Sequence, residues 1–198
     1  MNRDQLLALV QMEFEESAQV VRRMADEQAE VILRAAAIVE ESLRAGGTLF
    51  TCGNGGSAAD AQHIAAELSG RFYLDRPGLA AMALTVNTSA LTAIGNDYAF
   101  SEVFSRQLDG LGRKGDVLLA ITTSGRSENT VQAVKKAREK GMSVLGFTGA
   151  LGGNFAAVCD AALVVPSENV ARIQEAHICA GHLVCQLVEQ AFFGGEDE

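Results

Sequence analysis

The chain has 198 residues, 48% of them hydrophobic, with no tryptophan and two prolines, enough for one full core in a single domain. Its 25 acidic residues against 16 basic ones leave a net charge of −9. That excludes an extended nucleic-acid backbone as partner, which needs clustered Lys and Arg, but not one small anion held by backbone N–H groups.

The opening "MNRDQLLALVQMEFEESAQ" carries acids too early for a signal peptide. No apolar run approaches membrane-spanning length, so a cytoplasmic protein without membrane contact is expected. Within Asp4 to Ala25, apolar Leu6, Leu7, Val10, Phe14, Val20, Val21 and Met24 recur between charges, which predicts an amphipathic helix. A second helix is predicted from about Ala29 to Ala45, stopping at Gly46-Gly47. Short apolar runs at 48–52, 79–85, 116–122, 143–149 and 161–166 then alternate with helical stretches, and a last helix runs from about Val170 to Phe193. Strand-helix alternation predicts an α/β fold with a parallel sheet covered on both faces, because parallel strands need crossovers and are apolar on both sides. No linker or low-complexity segment marks a domain boundary, and the tail "GGEDE" is expected to fray. The cysteines Cys52, Cys159, Cys179 and Cys185 lack C-x-x-C spacing, so reduced thiols are expected, with Cys52 in the core.

In such folds ligands sit beyond the carboxyl ends of the strands. Two loops there carry suitable chemistry. The first, "CGNGGS" (52–57), brings glycines that admit positive φ and close approach of backbone to a ligand, ahead of a helix N-terminus. Its spacing matches neither G-x-G-x-x-G in context nor the Walker pattern with its lysine. On its own it reads equally as a ligand loop or as a tight turn. The second, "ITTSGRSENT" (121–130), gathers Thr122, Thr123, Ser124 and Ser127 around one glycine at a helix start. An N-cap needs one hydroxyl, so Ser127 alone reads as a cap, whereas four hydroxyls favour a phosphate site.

His63 and Glu67 lie four apart on the helix after the first loop and share a face. On the last helix Gln174, Ile178, Gly181, His182 and Cys185 form one stripe, from which His177 points away. Each histidine alone reads as a core or surface residue, and the His63/Glu67 pair as a surface ion pair. If the two helices meet, His63, Glu67, Gln174 and His182 form a cluster able to move protons or hold a divalent metal.

Four segments in order, "GNGGSAADAQHIAAEL", "LTAIGNDYAF", "GDVLLAITTSGRSEN" and "RIQEAHICAGH", resemble a sugar isomerase (SIS) domain of the phosphoheptose isomerase family, over about residues 30 to 193. The resemblance implies a three-layer αβα sandwich on a five-stranded parallel sheet. It implies one SIS domain over 1–198, with 1–28 as an oligomerisation helix and 29–193 as the core, assembled as a homotetramer with active sites at subunit contacts. It implies conversion of sedoheptulose 7-phosphate to D-glycero-D-manno-heptose 7-phosphate through an enediol, the first step towards ADP-heptose for lipopolysaccharide and surface polysaccharides. Position by position, Asn54, Gly55, Gly56, Ser57, Asn96 and Asp97 match sugar-contacting residues, and Thr122, Thr123, Ser124 and Ser127 match the phosphate loop, where the family often has serine at the position of Thr122. Gln174 matches a substrate contact, Glu67 and His182 the acid/base pair, and His63, Glu67, Gln174 and His182 the ligands of one zinc ion per subunit. A carboxylate in that role is expected to be partly buried. Two other classes share the fold: a noncatalytic protein that binds the replication initiator, and a sugar-phosphate sensor. Glu67 and His182 favour the enzyme over the first. The second is normally attached to an output domain, for which the chain is expected to lack room.

Overall fold

The computed structural model describes residues 1–195; residues 196–198, within the tail expected to fray, lie outside them. The elements are α1 (Arg3–Arg44), β1 (Leu49–Cys52), α2 (Gly56–Ser69), β2 (Ala81–Ala83), α3 (Thr88–Asp97), a 3-10 turn (Phe100–Glu102), α4 (Ser105–Leu111), β3 (Val117–Thr122), α5 (Glu128–Glu139), β4 (Ser143–Gly149), α6 (Gly153–Ala156), β5 (Ala161–Val165) and α7 (Val170–Phe193). The five strands pair in parallel in the order β2-β1-β3-β4-β5. The expected three-layer αβα architecture is therefore present.

The continuous apolar runs arise because both sides of the central strands are covered. Leu49, Val117, Leu119, Ile121, Leu145 and Phe147 face a core shared with α1, α2 and α7. The alternate residues Phe50, Cys52, Leu118, Ala120 and Val144 face a second core with α4 and α5. Cys52 is a core residue, as expected, and burial pushes its thiol up to about 12. The run at 79–85 yields only three strand residues, because β2 has a partner on one side alone and Met82 faces outward.

The N-terminal region departs from the sequence expectation. One continuous helix of 42 residues replaces the two predicted, and no break falls near residue 28. The intervening Asp26-Glu27-Gln28 holds no glycine or proline, and its polarity has other uses. Glu27 pairs with Arg23 at 2.9 Å, and Gln28 Oε1 accepts the backbone N–H of Val164 at 3.1 Å on the edge strand β5. Asn2 and Gln5 close a capping box at the start of α1, and Gly46, at φ 82°, follows its end. The first buried residue of α1 is Val20; before it Leu6, Leu7, Leu9, Val10, Met12 and Phe14 stand exposed. No helix of the described residues is long and apolar enough to cross a membrane.

His177 does point away from His182, into the core beside the Phe147 ring at 5.7 Å, fully buried with no hydrogen-bond partner for either ring nitrogen. Burial pushes its imidazolium down to about 4. The unfolded chain then takes up this proton near pH 6.5 while the folded chain refuses it until about pH 4, so stability is lost as pH falls through that window. The His177→Leu variant should escape this loss: between pH 7 and pH 5 the wild-type unfolding free energy should fall by about 2 kcal/mol more than the variant's in denaturant titrations. Equal slopes would contradict the assignment.

Candidate active site

The strand order makes β1 and β3 neighbours whose crossovers depart in opposite directions, to β2 through α2 and to β4 through α5. Their carboxyl ends therefore open a crevice at the topological switch point, where both sequence-predicted loops lie. In the first loop Gly55 adopts φ 57°, which disfavours a side chain, and precedes α2 without a side-chain cap. A Cβ on Gly56 would stand 2.5 Å from the Gln174 amide, so glycine is what admits Gln174 of α7 to this loop. Ser57 is buried at the start of α2. Asn54 and Asn129 exchange two side-chain hydrogen bonds of 2.8 Å, which join the first loop to the start of α5.

In the second loop Gly125 turns the chain at φ 68°. Ser127 occupies the N-cap position of α5 but makes no capping hydrogen bond. Its hydroxyl lies 3.2 Å from that of Thr122, whereas Ser124 Oγ accepts the N–H of Arg126 at 3.2 Å. Thr122 is buried and Thr123, Ser124 and Ser127 are partly exposed. The Asn129 side chain takes the Thr130 N–H at 2.9 Å, so Ser127 leaves the first turn of α5 without the hydroxyl cap that a purely structural reading of it requires.

The two helices do meet. A Cβ on Gly181 would lie 2.5 Å from Ile64 Cδ1, so α7 and α2 touch where α7 has no side chain. On either side of that contact His63 Nε2 sits 2.9 Å from Glu67 Oε1, and His182 Nε2 sits 3.4 Å from His63 Nε2. The imidazoles meet edge to face at 4.9 Å, and the Phe72 ring stacks on His182 at 5.8 Å. The Glu67 side chain is 22% exposed and that of His63 48%, so the carboxylate is the sheltered member, as its expected role demands.

One donor atom from each of His63, Glu67 and His182 lies within 4.8 Å of the others. Two imidazole nitrogens on one tetrahedral zinc stand roughly 3.3 Å apart, given Zn–N bonds of about 2.0–2.1 Å, close to the 3.4 Å seen here. These residues fit a zinc ion. Gln174 lies two turns earlier on α7, with its amide against Gly56. Asn96 and Asp97 are exposed at the end of α3, where the Asn96 amide bonds Asp97 at 2.8 Å, while Leu91 and Ile94 of that helix pack on the second core.

Sequence reasoning passed over Asn129 and Asp60. Asn129 was inside the quoted loop, and its signal was an amide in a first helical turn facing an Asn-Gly-Gly loop. Asp60, one turn before His63, has a buried carboxylate oxygen without a partner; burial raises its carboxyl above the ordinary range, against the pull of His63.

Comparison with known proteins places these features in context. The family model described as SIS domain matches residues 14–149. A phosphoheptose isomerase of Rhodospirillum rubrum is 58% identical over 163 residues, 82% of this chain and 87% of the relative. A solved phosphoheptose isomerase from Neisseria gonorrhoeae superposes with a TM-score of 0.88 at 46% identity, covering 93% of this chain and 99% of that one. The corresponding structure from Francisella tularensis gives 0.90 at 40% identity, covering 93% and 98%.

A cap and a ligand contact respond differently to Ser127→Ala. Loss of a capping hydroxyl costs about 1 kcal/mol. Here the variant should keep its unfolding free energy within about 0.5 kcal/mol of the parent. It should bind inorganic phosphate roughly tenfold more weakly by calorimetry, as the loss of one hydrogen bond to a charged group implies. A destabilised variant with unchanged phosphate affinity would return Ser127 to the role of cap.

Proposed function

The chain belongs to the SIS domain family, and we propose that its activity is that of a phosphoheptose isomerase, converting sedoheptulose 7-phosphate to D-glycero-D-manno-heptose 7-phosphate. The observation that carries this is the convergence of His63, Glu67 and His182 within 4.8 Å, beside the crevice, in a chain whose named relatives are phosphoheptose isomerases over most of their length. A noncatalytic initiator-binding protein needs no such triad, and none of these relatives supports that reading.

The phosphate is held by Thr122, Thr123, Ser124, Ser127 and the N-terminus of α5, and the polyol chain lies along Asn54, Gly55, Gly56 and Ser57 with Gln174 beside it. Asn54 contributes through its backbone, since its amide is engaged by Asn129. With the substrate open, the Glu67 carboxylate removes a C1 proton from the hydroxymethyl ketone, the electron pair forms the C1–C2 double bond of a cis-enediol, and O2 gains a proton. Return of the proton to C2 and loss of the O1 proton complete the aldose, with no net oxidation. His182 is placed to move the proton between O1 and O2, and the roles of Glu67 and His182 are interchangeable on geometry alone. Zinc held by His63, Glu67, Gln174 and His182 would supply Lewis acidity at the reacting oxygens. A carboxylate bound to metal is less basic, so Glu67 serves one duty at a time.

Assembly completes the site. The exposed apolar stripe of α1 before Val20 supports the assignment of residues 1–28 to oligomerisation, here as a homotetramer. Asn96 and Asp97, exposed at the end of α3, then contact the sugar where subunits meet. The substrate and product belong to cytoplasmic sugar-phosphate metabolism, upstream of ADP-heptose.

Purified protein incubated with sedoheptulose 7-phosphate should form the aldose phosphate. Glu67→Gln and His182→Gln should each lower turnover by about 100-fold or more, as expected for loss of a general acid or base, with circular dichroism unchanged. Chelation should lower the rate, and added zinc restore it. Near-normal turnover in either variant would sink the acid/base assignment, and no product under any metal condition would sink the activity.

A further inference from the structure

Arg76 and Glu189 form an ion pair at 2.9 Å with side chains only 2% exposed, in a chain whose other ion pairs among the described residues each have at least one more exposed partner. Neither residue lies in the crevice. The hydrogen bonds they make lead back to it from both sides.

The Arg76 guanidinium sits below the last turn of α2, a helix with no basic residue of its own there. Its Nη2 donates to the backbone oxygen of Glu67 at 2.9 Å and its Nη1 to those of Leu68 at 2.7 Å and Gly70 at 3.1 Å. Carbonyls orphaned at a helix end and the negative end of its dipole are thus met by one rigid cation. Glu189 lies on α7 seven residues after His182, on the same side of the helix. Its carboxylate accepts the backbone N–H groups of Phe72, Tyr73 and Leu74 at 3.1, 2.8 and 3.1 Å, besides Arg76. Burial alone would drive this carboxyl up, but the three N–H groups and Arg76 outweigh it and hold it below the ordinary range. Phe72, fixed through its N–H, is the residue whose ring stacks on His182.

We propose that the Arg76–Glu189 pair is a positioning device for the proton-moving residues, clamping the α2 end that carries Glu67 and the loop whose Phe72 backs His182 onto one point of α7. The inference rests on the reading of Glu67 and His182 as the acid/base pair. A pair needed for stability alone is replaceable by apolar residues. A pair that fixes two reacting side chains requires the fork of Arg76, since one group must reach Glu189 and the Glu67 carbonyl together.

Arg76→Lys keeps the charge and loses the fork. In the folded variant, kcat for sedoheptulose 7-phosphate should fall about 10- to 100-fold, the scale of a misplacement near 1 Å, with KM unchanged because residues 122–127 are untouched. In the Glu67→Gln background the same substitution should add little to the residual loss. Unchanged kcat in R76K, or the full loss repeated in the E67Q background, would overturn the proposal and leave the pair a structural one. Near-normal turnover in E67Q itself would instead fail the acid/base reading. Should R76K not fold, Phe72→Leu carries the test, since it leaves the ion pair in place and removes only the ring behind His182: a lower kcat at unchanged KM supports the clamp, and an unchanged kcat overturns it.

Discussion

The close approach of α2 and α7 is the constraint on which the site depends. Gly181 permits it, since any Cβ there would stand 2.5 Å from Ile64 Cδ1. Glycine inside a helix costs about 1 kcal/mol relative to alanine, and the cost is offset where Ile64, Leu68, Val184, Cys185 and Val188 close into one core. His182 is the next residue after the contact, and His63 the one before Ile64. A core-packing requirement and the meeting of two imidazoles are therefore the same event. Separation of the helices by the radius of one methyl group would part the 3.4 Å contact between the imidazole nitrogens.

The sheet divides the remaining labour. Because β1 and β3 send their crossovers opposite ways, the loops after Cys52 and Thr122 face one another without a helix between them. One loop is made of backbone and the other of hydroxyls, and the Asn54–Asn129 pair ties them at fixed spacing. Ser127 illustrates how a position can be helical in origin without serving as a cap. It stands where a cap stands, yet its hydroxyl turns to Thr122.

The long α1 spans both the packed core and a solvent-facing stripe. Its C-terminal half packs on α7 and β5, while its first turns carry an apolar stripe into solvent. Arg172, largely buried, ties the two regions together by bonding Glu13 of α1 and Glu175 of its own helix, each at 2.6 Å. The stretch between Ala25 and Ala29 was misread as a break because periodicity lapses there. The lapse records a tertiary duty, Gln28 serving the open edge of β5, which no local pattern announces.

Local chemistry determined much by sequence alone. Apolar runs of strand length between helical periods dictated the parallel sheet, and the five strands lie where those runs lie. Glycines and hydroxyls at strand ends marked both loops, because positive φ and anion binding are properties of single residues and short spacings. The i, i+4 arithmetic placed His63 with Glu67. Tertiary structure alone decided what needs distance information. It paired His63 with His182 across 119 positions, buried His177 on α7, engaged the Asn54 amide with Asn129, and joined the Asn96 amide to Asp97. It also made the Arg76–Glu189 clamp, since neither residue type nor spacing distinguishes a buried charge from a solvated one until the fold removes water from around it.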